Sequence, residues 1–229
     1  MTSEPRSGLE ERPLLASHPV AWRIALVLWV VGGSTFLALA VPATSQLVQQ
    51  VDDAVWELAV SWEQDAFVAV AKVFDIVGSS WITAPLIVIV AIVLATRRRW
   101  EAFWFWALAM AASQALIGPV KNLYERARPP LPLVETSSFS FPSGHAVAGA
   151  AIAVSLVIVL VPAGPKRRNL EIVAAVFAVL MAMSRVYLRA HWLSDVAAGA
   201  SLGIAVAISA AAVVHWLDDR RARHDSGAG

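Results

Sequence analysis

From Trp22 to Val41 the chain carries a single charged residue, Arg23, and five later stretches are nearly as apolar. A helix needs roughly 20 predominantly apolar residues to cross a bilayer. Several such runs in one chain dictate a helical protein that folds in lipid. Composition agrees: 58% of the 229 residues are hydrophobic and 15% are charged, against about 25% charged in soluble domains. The runs predict six spans, Trp22 to Val41, Trp81 to Thr96, Ala102 to Val120, Ala146 to Val161, Leu170 to Tyr187 and Trp192 to Leu217. The expected fold is therefore all-α, a polytopic membrane protein with six transmembrane helices. They form one domain over 21–217, between polar tails at 1–20 and 218–229. Ala38-Leu39-Ala40 resembles a signal-peptide cleavage site, but the long polar start and the extended apolar run favour an uncleaved first span.

Gln46 to Asp75, between the first two spans, is different. Leu47, Val51, Val55, Leu58 and Trp62 recur at helical spacing, with Asp52, Asp53, Glu57, Glu63 and Asp65 among them. That pattern predicts one or two amphipathic helices lying at the interface, as a packing element, a lid or a binding element. The chain has no cysteine, which removes disulfides and thiolate metal sites. Its formal net charge of +1 singles out no partner class, and no nucleic-acid partner is expected.

Basic residues collect on the cytoplasmic side of membrane proteins. Arg97-Arg98-Arg99, Lys166-Arg167-Arg168, the Arg220, Arg221 and Arg223 group, and Arg12 with Arg23 are mutually consistent with both termini in the cytoplasm. The connections 46–75, 121–144 and 188–191 then face outward. They nevertheless hold Lys121, Arg126, Arg128, Arg185 and Arg189. An anion bound at the outer face would account for cations placed against the gradient.

Three motifs lie on that face. In KNLYERARPP, Lys121 and Arg128 are seven apart, and on a continuing helix they would project to the same side before Pro129 and Pro130 stop it. Alone, this is equally a snorkelling basic helix end. In FSFPSGH, Pro142 and Gly144 shape a turn and Ser143 is a candidate N-cap for the fourth span. Free N–H groups at a helix start form an anion site. A plain capped helix explains Ser143 and Gly144 as well, but it explains His145 poorly, since an imidazole at this depth needs a polar partner. In SRVYLRAHWLSD, His191 and Asp195 are four apart, on one face of the sixth span's first turns. A carboxylate holding one imidazole nitrogen leaves the other free as a nucleophile; a structural ion pair at a helix end is the alternative. Taken together, three cations, a helix N-terminus and two histidines suit a phosphoryl group. The motifs lack the carboxylates of a magnesium or zinc site, so metal-independent chemistry without a cofactor is expected.

K-x6-R-P at Lys121–Pro129, P-S-G-H at Pro142–His145 and S-R-x5-H-x3-D at Ser184–Asp195 together resemble the signature of the type 2 phosphatidic acid phosphatases, the PAP2 superfamily. Gly199 also suits the family pattern. The likeness covers roughly residues 75–205, while the N-terminal tail and segment 46–75 lie outside it. Within the superfamily the chain resembles the phosphatidylglycerophosphate and undecaprenyl pyrophosphate phosphatases. The resemblance implies His191 as the nucleophile forming a phosphohistidine, Asp195 orienting it, and His145 protonating the leaving lipid oxygen. It implies Lys121, Arg128, Ser143, the Gly144 N–H and Arg185 as phosphate ligands, with no metal. A bell-shaped pH profile follows if His191 acts neutral and His145 protonated. The expected partners are the bilayer and a lipid phosphate presented at the outer face of the cell membrane. Polyprenyl pyrophosphate, phosphatidylglycerol phosphate and phosphatidic acid are all compatible, with carrier-lipid recycling for cell-wall synthesis the foremost service. A phosphotransferase using an alcohol acceptor and a non-catalytic lipid-phosphate binder remain as alternatives. The oligomeric state is not legible in the residues.

Overall fold

A computed structural model describes residues 19–227 apart from Ala163, so the expectation for the N-terminal tail lies almost wholly outside the described residues. These residues form eight helices: α1 (Pro19–Ala40), α2 (Pro42–Ser61), α3 (Asp65–Gly78), α4 (Ser80–Thr96), α5 (Trp100–Tyr124), α6 (Gly144–Leu160), α7 (Pro165–Tyr187) and α8 (Leu193–Gly227). Proline opens three of them, at Pro19, Pro42 and Pro165, where a missing N–H costs nothing and the fixed φ suits the first turn.

Four helices are long and apolar enough to cross a membrane: α1, α5, α7 and the Leu193–Leu217 part of α8. A fifth span exists if α3 and α4 are taken together, bent by 44°. Segment 46–75 falls into two helices. Its first half is α2, and its second half is the leading limb of the broken pair α3–α4. The expected fourth span, α6, is only 17 residues long, roughly 26 Å at 1.5 Å per residue, which is short of a hydrocarbon core about 30 Å thick. At the other end of the chain, α8 continues as helix to Gly227, through residues expected to form a tail.

α6 is the axis of the fold. It packs on α5, α7, α8 and α3, and most of its side chains are buried. α8 lies against it through Gly199 and Gly203, a small-residue pair four apart that lets helix backbones approach closely. A Cβ at Gly203 would stand 2.3 Å from the Val147 carbonyl oxygen. Gly203→Ala is therefore expected to force the two helices apart at a cost of about 1–3 kcal/mol, read as a lower unfolding temperature in detergent. An unchanged midpoint would refute the close contact.

The outer helices turn their apolar faces outward. Trp22, Leu26 and Val30 on α1, Ile89 and Ile92 on α4, and Ile172, Val176 and Val179 on α7 are all exposed. Contiguous apolar surface on this scale belongs in lipid, and the protein is an integral membrane protein. Of the basic clusters, Arg99 has a definite partner: its guanidinium donates to the Val159 carbonyl in the last turn of α6, at 2.8 Å. A cation there satisfies an orphan carbonyl and complements the helix dipole. The opposite end of α6, at Ser143–His145, is where the three motifs meet.

Candidate active site

The first motif is held differently from the expectation. α5 ends at Tyr124, and Glu125 takes a left-handed conformation (φ 45°) with its N–H bonded to the Lys121 carbonyl. Arg128 precedes Pro129, and a residue before proline is pushed out of the helical region. Lys121 and Arg128 therefore meet through a chain reversal and not along a helix face. Lys121, buried in the last turn of α5, donates to the Phe139 carbonyl. Arg128 donates to the Ser138 carbonyl at 2.6 Å and reaches Phe139 as well, at 3.4 Å.

Ser143 is the N-cap of α6, and its Oγ accepts from the Ala146 N–H at 3.4 Å. Its own N–H donates to the Asp195 carbonyl at 3.2 Å, tying the turn to α8. His145 sits in the first turn of α6, and its Nε2 lies 3.1 Å from the Asp75 carbonyl oxygen. A carbonyl can only accept, so Nε2 carries a proton.

His191 also departs from the expectation. α8 begins at Leu193, so His191 lies before the helix, in a turn whose N–H groups at Ala190 and His191 bond the Arg185 carbonyl. Asp195 sits at the third position of α8, and its Oδ2 accepts from the N-cap Trp192 N–H at 2.9 Å, the reciprocal half of a capping box. That local bond places the carboxylate, whose Oδ2 is 3.5 Å from His191 Nδ1. On the other side of the ring, Arg128 Nη1 is 3.3 Å from Nε2. An arginine can only donate, so the tautomer compatible with both neighbours has its proton on Nδ1 and its lone pair on Nε2. His191 is 3% exposed. Burial, more than the nearby Arg128 and Arg185 charges, pushes its pKa down from 6.5 to about 4 against the opposing pull of Asp195.

Arg128 and Arg185 act electrostatically on both histidines, and Lys121 on Arg128 and Asp195. The structure thus gathers the predicted side chains at one end of α6. It also sorts the cations. Arg189 pairs with Glu63 at 2.8 Å, and Arg126 is held between Asp52 and Asp195, 2.7 Å from each. Lys121, Arg128 and Arg185 remain around the histidines.

Four residues have close roles here that the sequence did not assign to the site, although Arg126 stood out among the outward-facing cations. Asp75, from α3, pairs with Arg185 and stands 3.4 Å from His145 Nε2. The packing behind it is tight: a Cβ at Gly78 would lie 2.5 Å from His145 Cδ2. Ser140 donates to Asp195 Oδ2, and Asp52 and Arg126 form the bridge just described. Only Ser140, three residues before Ser143, had a local signal. The others reach the site across sequence separations that no spacing rule spans.

Residues 102–221 match the PAP2 superfamily, and the chain belongs to it. It is a lipid phosphatase. Phosphatidylglycerophosphatase B of Bacillus subtilis (strain 168) is 36% identical over 175 residues, covering 74% of this chain and 86% of that protein. The crystal structure of a transmembrane PAP2-type phosphatidylglycerolphosphate phosphatase from Bacillus subtilis superposes with a TM-score of 0.68 at 30% identity, covering 87% of this chain and 96% of that one. LpxE of Aquifex aeolicus shares the fold, with a TM-score of 0.56 at 23% identity over 69% of this chain and 92% of that one.

Proposed function

We propose that the protein hydrolyses the terminal phosphate of a membrane lipid through a phosphohistidine on His191. The carrying observation is the environment of that ring: buried, neutral, backed by Asp195 at Nδ1 and faced by Arg128 at Nε2. Nε2 attacks phosphorus and the bond from phosphorus to the lipid oxygen breaks. The His145 Nε2 proton passes to that oxygen; water then attacks phosphorus, giving a proton back to His145, and the bond from Nε2 to phosphorus breaks to release phosphate and regenerate the His191 imidazole. Lys121, Arg128, Arg185, Ser143 and the Gly144 N–H bind the phosphoryl oxygens, with fixed donors aimed at the charge that develops. Arg185 must exchange the Asp75 carboxylate for the phosphate.

Phosphatidylglycerol phosphate heads the substrates, by likeness to the Bacillus relative; polyprenyl pyrophosphate, serving carrier-lipid recycling, and phosphatidic acid stand beside it. The lipid tail has a place to lie. An apolar groove between α2, α3 and α7, lined by Leu58, Trp62, Phe67, Phe74, Val186 and Tyr187, includes the chain neighbours of Asp75 and Arg185. Lateral access from the bilayer into that groove brings the phosphate to the site.

Phosphate release from a panel of these lipids in detergent tests the reading. The acid limb of kcat/KM reports the free enzyme's base. With His191 depressed to about 4, its neutral form is already present above that pH, so activity should persist well below 6.5. A limb centred at 6.5 would count against the buried nucleophile.

Six spans with both termini cytoplasmic and the site on the outer face complete the proposal. Its support is that Arg99, from the first of the inner clusters, bonds the last turn of α6, at the end away from Ser143. With no native cysteine, Ser137→Cys should react with an impermeant thiol reagent from outside intact cells and Arg98→Cys should not. The reverse pattern would move the substrate to the inner leaflet.

A further inference from the structure

The pair Asp195–His191 is joined to α2 by a buried chain of charges that the phosphatase reaction, as derived above, does not use. Asp195 Oδ1 accepts from Arg126 Nη1 at 2.7 Å. The second nitrogen of the same guanidinium donates to Asp52 Oδ2 at 2.7 Å and to Gln49 Oε1 at 2.8 Å. Asp52 in turn accepts from the Ser194 N–H at 2.9 Å and from its hydroxyl at 2.6 Å, and Arg126 Nη1 also donates to Ser194 Oγ at 2.6 Å. Asp52 is 2% exposed and Asp195 fully buried. Asp52 thus caps the start of α8 from a different helix and fixes the guanidinium that fixes the carboxylate.

We infer that Arg126 and Asp52 are positioning residues for the reaction: they set the direction and the effective charge of the Asp195 carboxylate that faces His191. The inference rests on the reading of His191 as nucleophile. Its geometric basis is the division of labour at Asp195. Oδ2 accepts from Ser140 and the Trp192 N–H and faces His191 Nδ1, whereas Arg126 is the charged partner of Oδ1. A carboxylate has one plane, so the bond at Oδ1 determines where Oδ2 points. Two carboxylates share one guanidinium, which leaves a surplus negative charge beside the imidazole. Asp52 lies outside the part of the chain that matches the family, so α2 contributes to the site as well as covering it.

The other charged groups around the pair are Lys121 from α5, Arg128 from the 125–143 loop, and Arg185 from α7, with His145 of α6 and Asp75 of α3 beyond them. All stay in place in the variants below. Arg126→Gln removes a positive charge and frees Oδ1. His191 becomes easier to protonate, Asp195 becomes easier to neutralise, and both effects move the acid limb of kcat/KM to higher pH, by about one unit. kcat should fall about 100-fold, the scale for a misplaced catalytic group. KM should hold, because the phosphate cations are untouched. Arg126→Lys, which keeps the charge, should restore the limb. Asp52→Asn removes a negative charge instead and should not raise the limb. The lipid phosphate's own ionisation near pH 6 is common to all variants, so only differences between them are read. Because Arg126→Gln strands two buried carboxylates, the double variant Asp52→Asn/Arg126→Gln supplies a second, charge-balanced test that should also show low kcat at unchanged KM. Wild-type kcat in both, or a fall in activity with a raised KM and an unmoved limb, would overturn the inference. Failure to trap phosphate on His191 in the wild-type protein would instead overturn the reading on which it rests.

Discussion

His191→Ala is expected to abolish phosphate release, by roughly 10⁴-fold or more, the scale seen when a nucleophile is removed from a unit that acts together. The substitution should leave the fold intact. The ring donates no essential bond to the scaffold: its Nδ1 stands 3.5 Å from Asp195 and has no hydrogen-bond partner, and its Nε2 faces only Arg128. The backbone N–H that anchors the turn to Arg185 is retained in alanine. Two measurements decide the matter together. Turnover should vanish while the unfolding midpoint stays near wild type. Rapid denaturation during turnover should trap acid-labile phosphate on the wild-type chain and none on the variant. Residual turnover within tenfold of wild type would exclude His191 as the nucleophile, whatever the midpoint.

Asp195→Asn should have the second-largest effect, and by a different route. The amide keeps the volume and can still accept one hydrogen bond, but the charge disappears. Asp195 Oδ2 now accepts from Ser140 and the Trp192 N–H while facing His191 Nδ1, and Oδ1 accepts from Arg126. An amide offers one acceptor atom and one donor for this set, so at least one side of the constellation loses its partner. The NH2 group turned toward His191 would favour the tautomer with its proton on Nε2, the nitrogen proposed to attack. A fall in kcat of about 10³–10⁴-fold is expected, comparable to carboxylate-to-amide changes beside other catalytic histidines. KM should change little, since Lys121, Arg128 and Arg185 are untouched. Stability should also drop, because Arg126 keeps only Asp52 as a charged partner in a buried setting. A variant that is less stable yet turns over at the wild-type rate would show that the carboxylate serves the fold alone.

The three motifs were legible in sequence because each is local. Ser143 caps the helix that carries His145, and Asp195 caps the helix that begins just after His191. In both cases the bonds that build the site are the bonds that start a helix. The apolar runs gave the long helices for a similar reason, since lipid admits few alternatives. What sequence did not reveal follows from distance. Asp75, Asp52 and Arg126 find their partners across separations of 68 to 142 residues, and nothing near Asp52 in the chain distinguishes it from Asp53, which is exposed. The relation of Lys121 to Arg128 was misjudged because a continuing helix and a reversal put residues seven apart into equally close reach. Pro129, by pushing Arg128 out of the helical region, decides for the reversal. Segment 46–75 defied a single assignment because its amphipathic pattern serves two tasks. α2 presents Asp52 inward beside exposed apolar side chains, and α3 joins α4 across a bend.

At that bend an apolar helix becomes part of the site. α4 is predominantly apolar, and α3 ends with Gly78 against the His145 ring and meets it through the Asp75 carbonyl. The break between the limbs is therefore a joint: one limb offers surface suited to lipid, and the other seats a histidine.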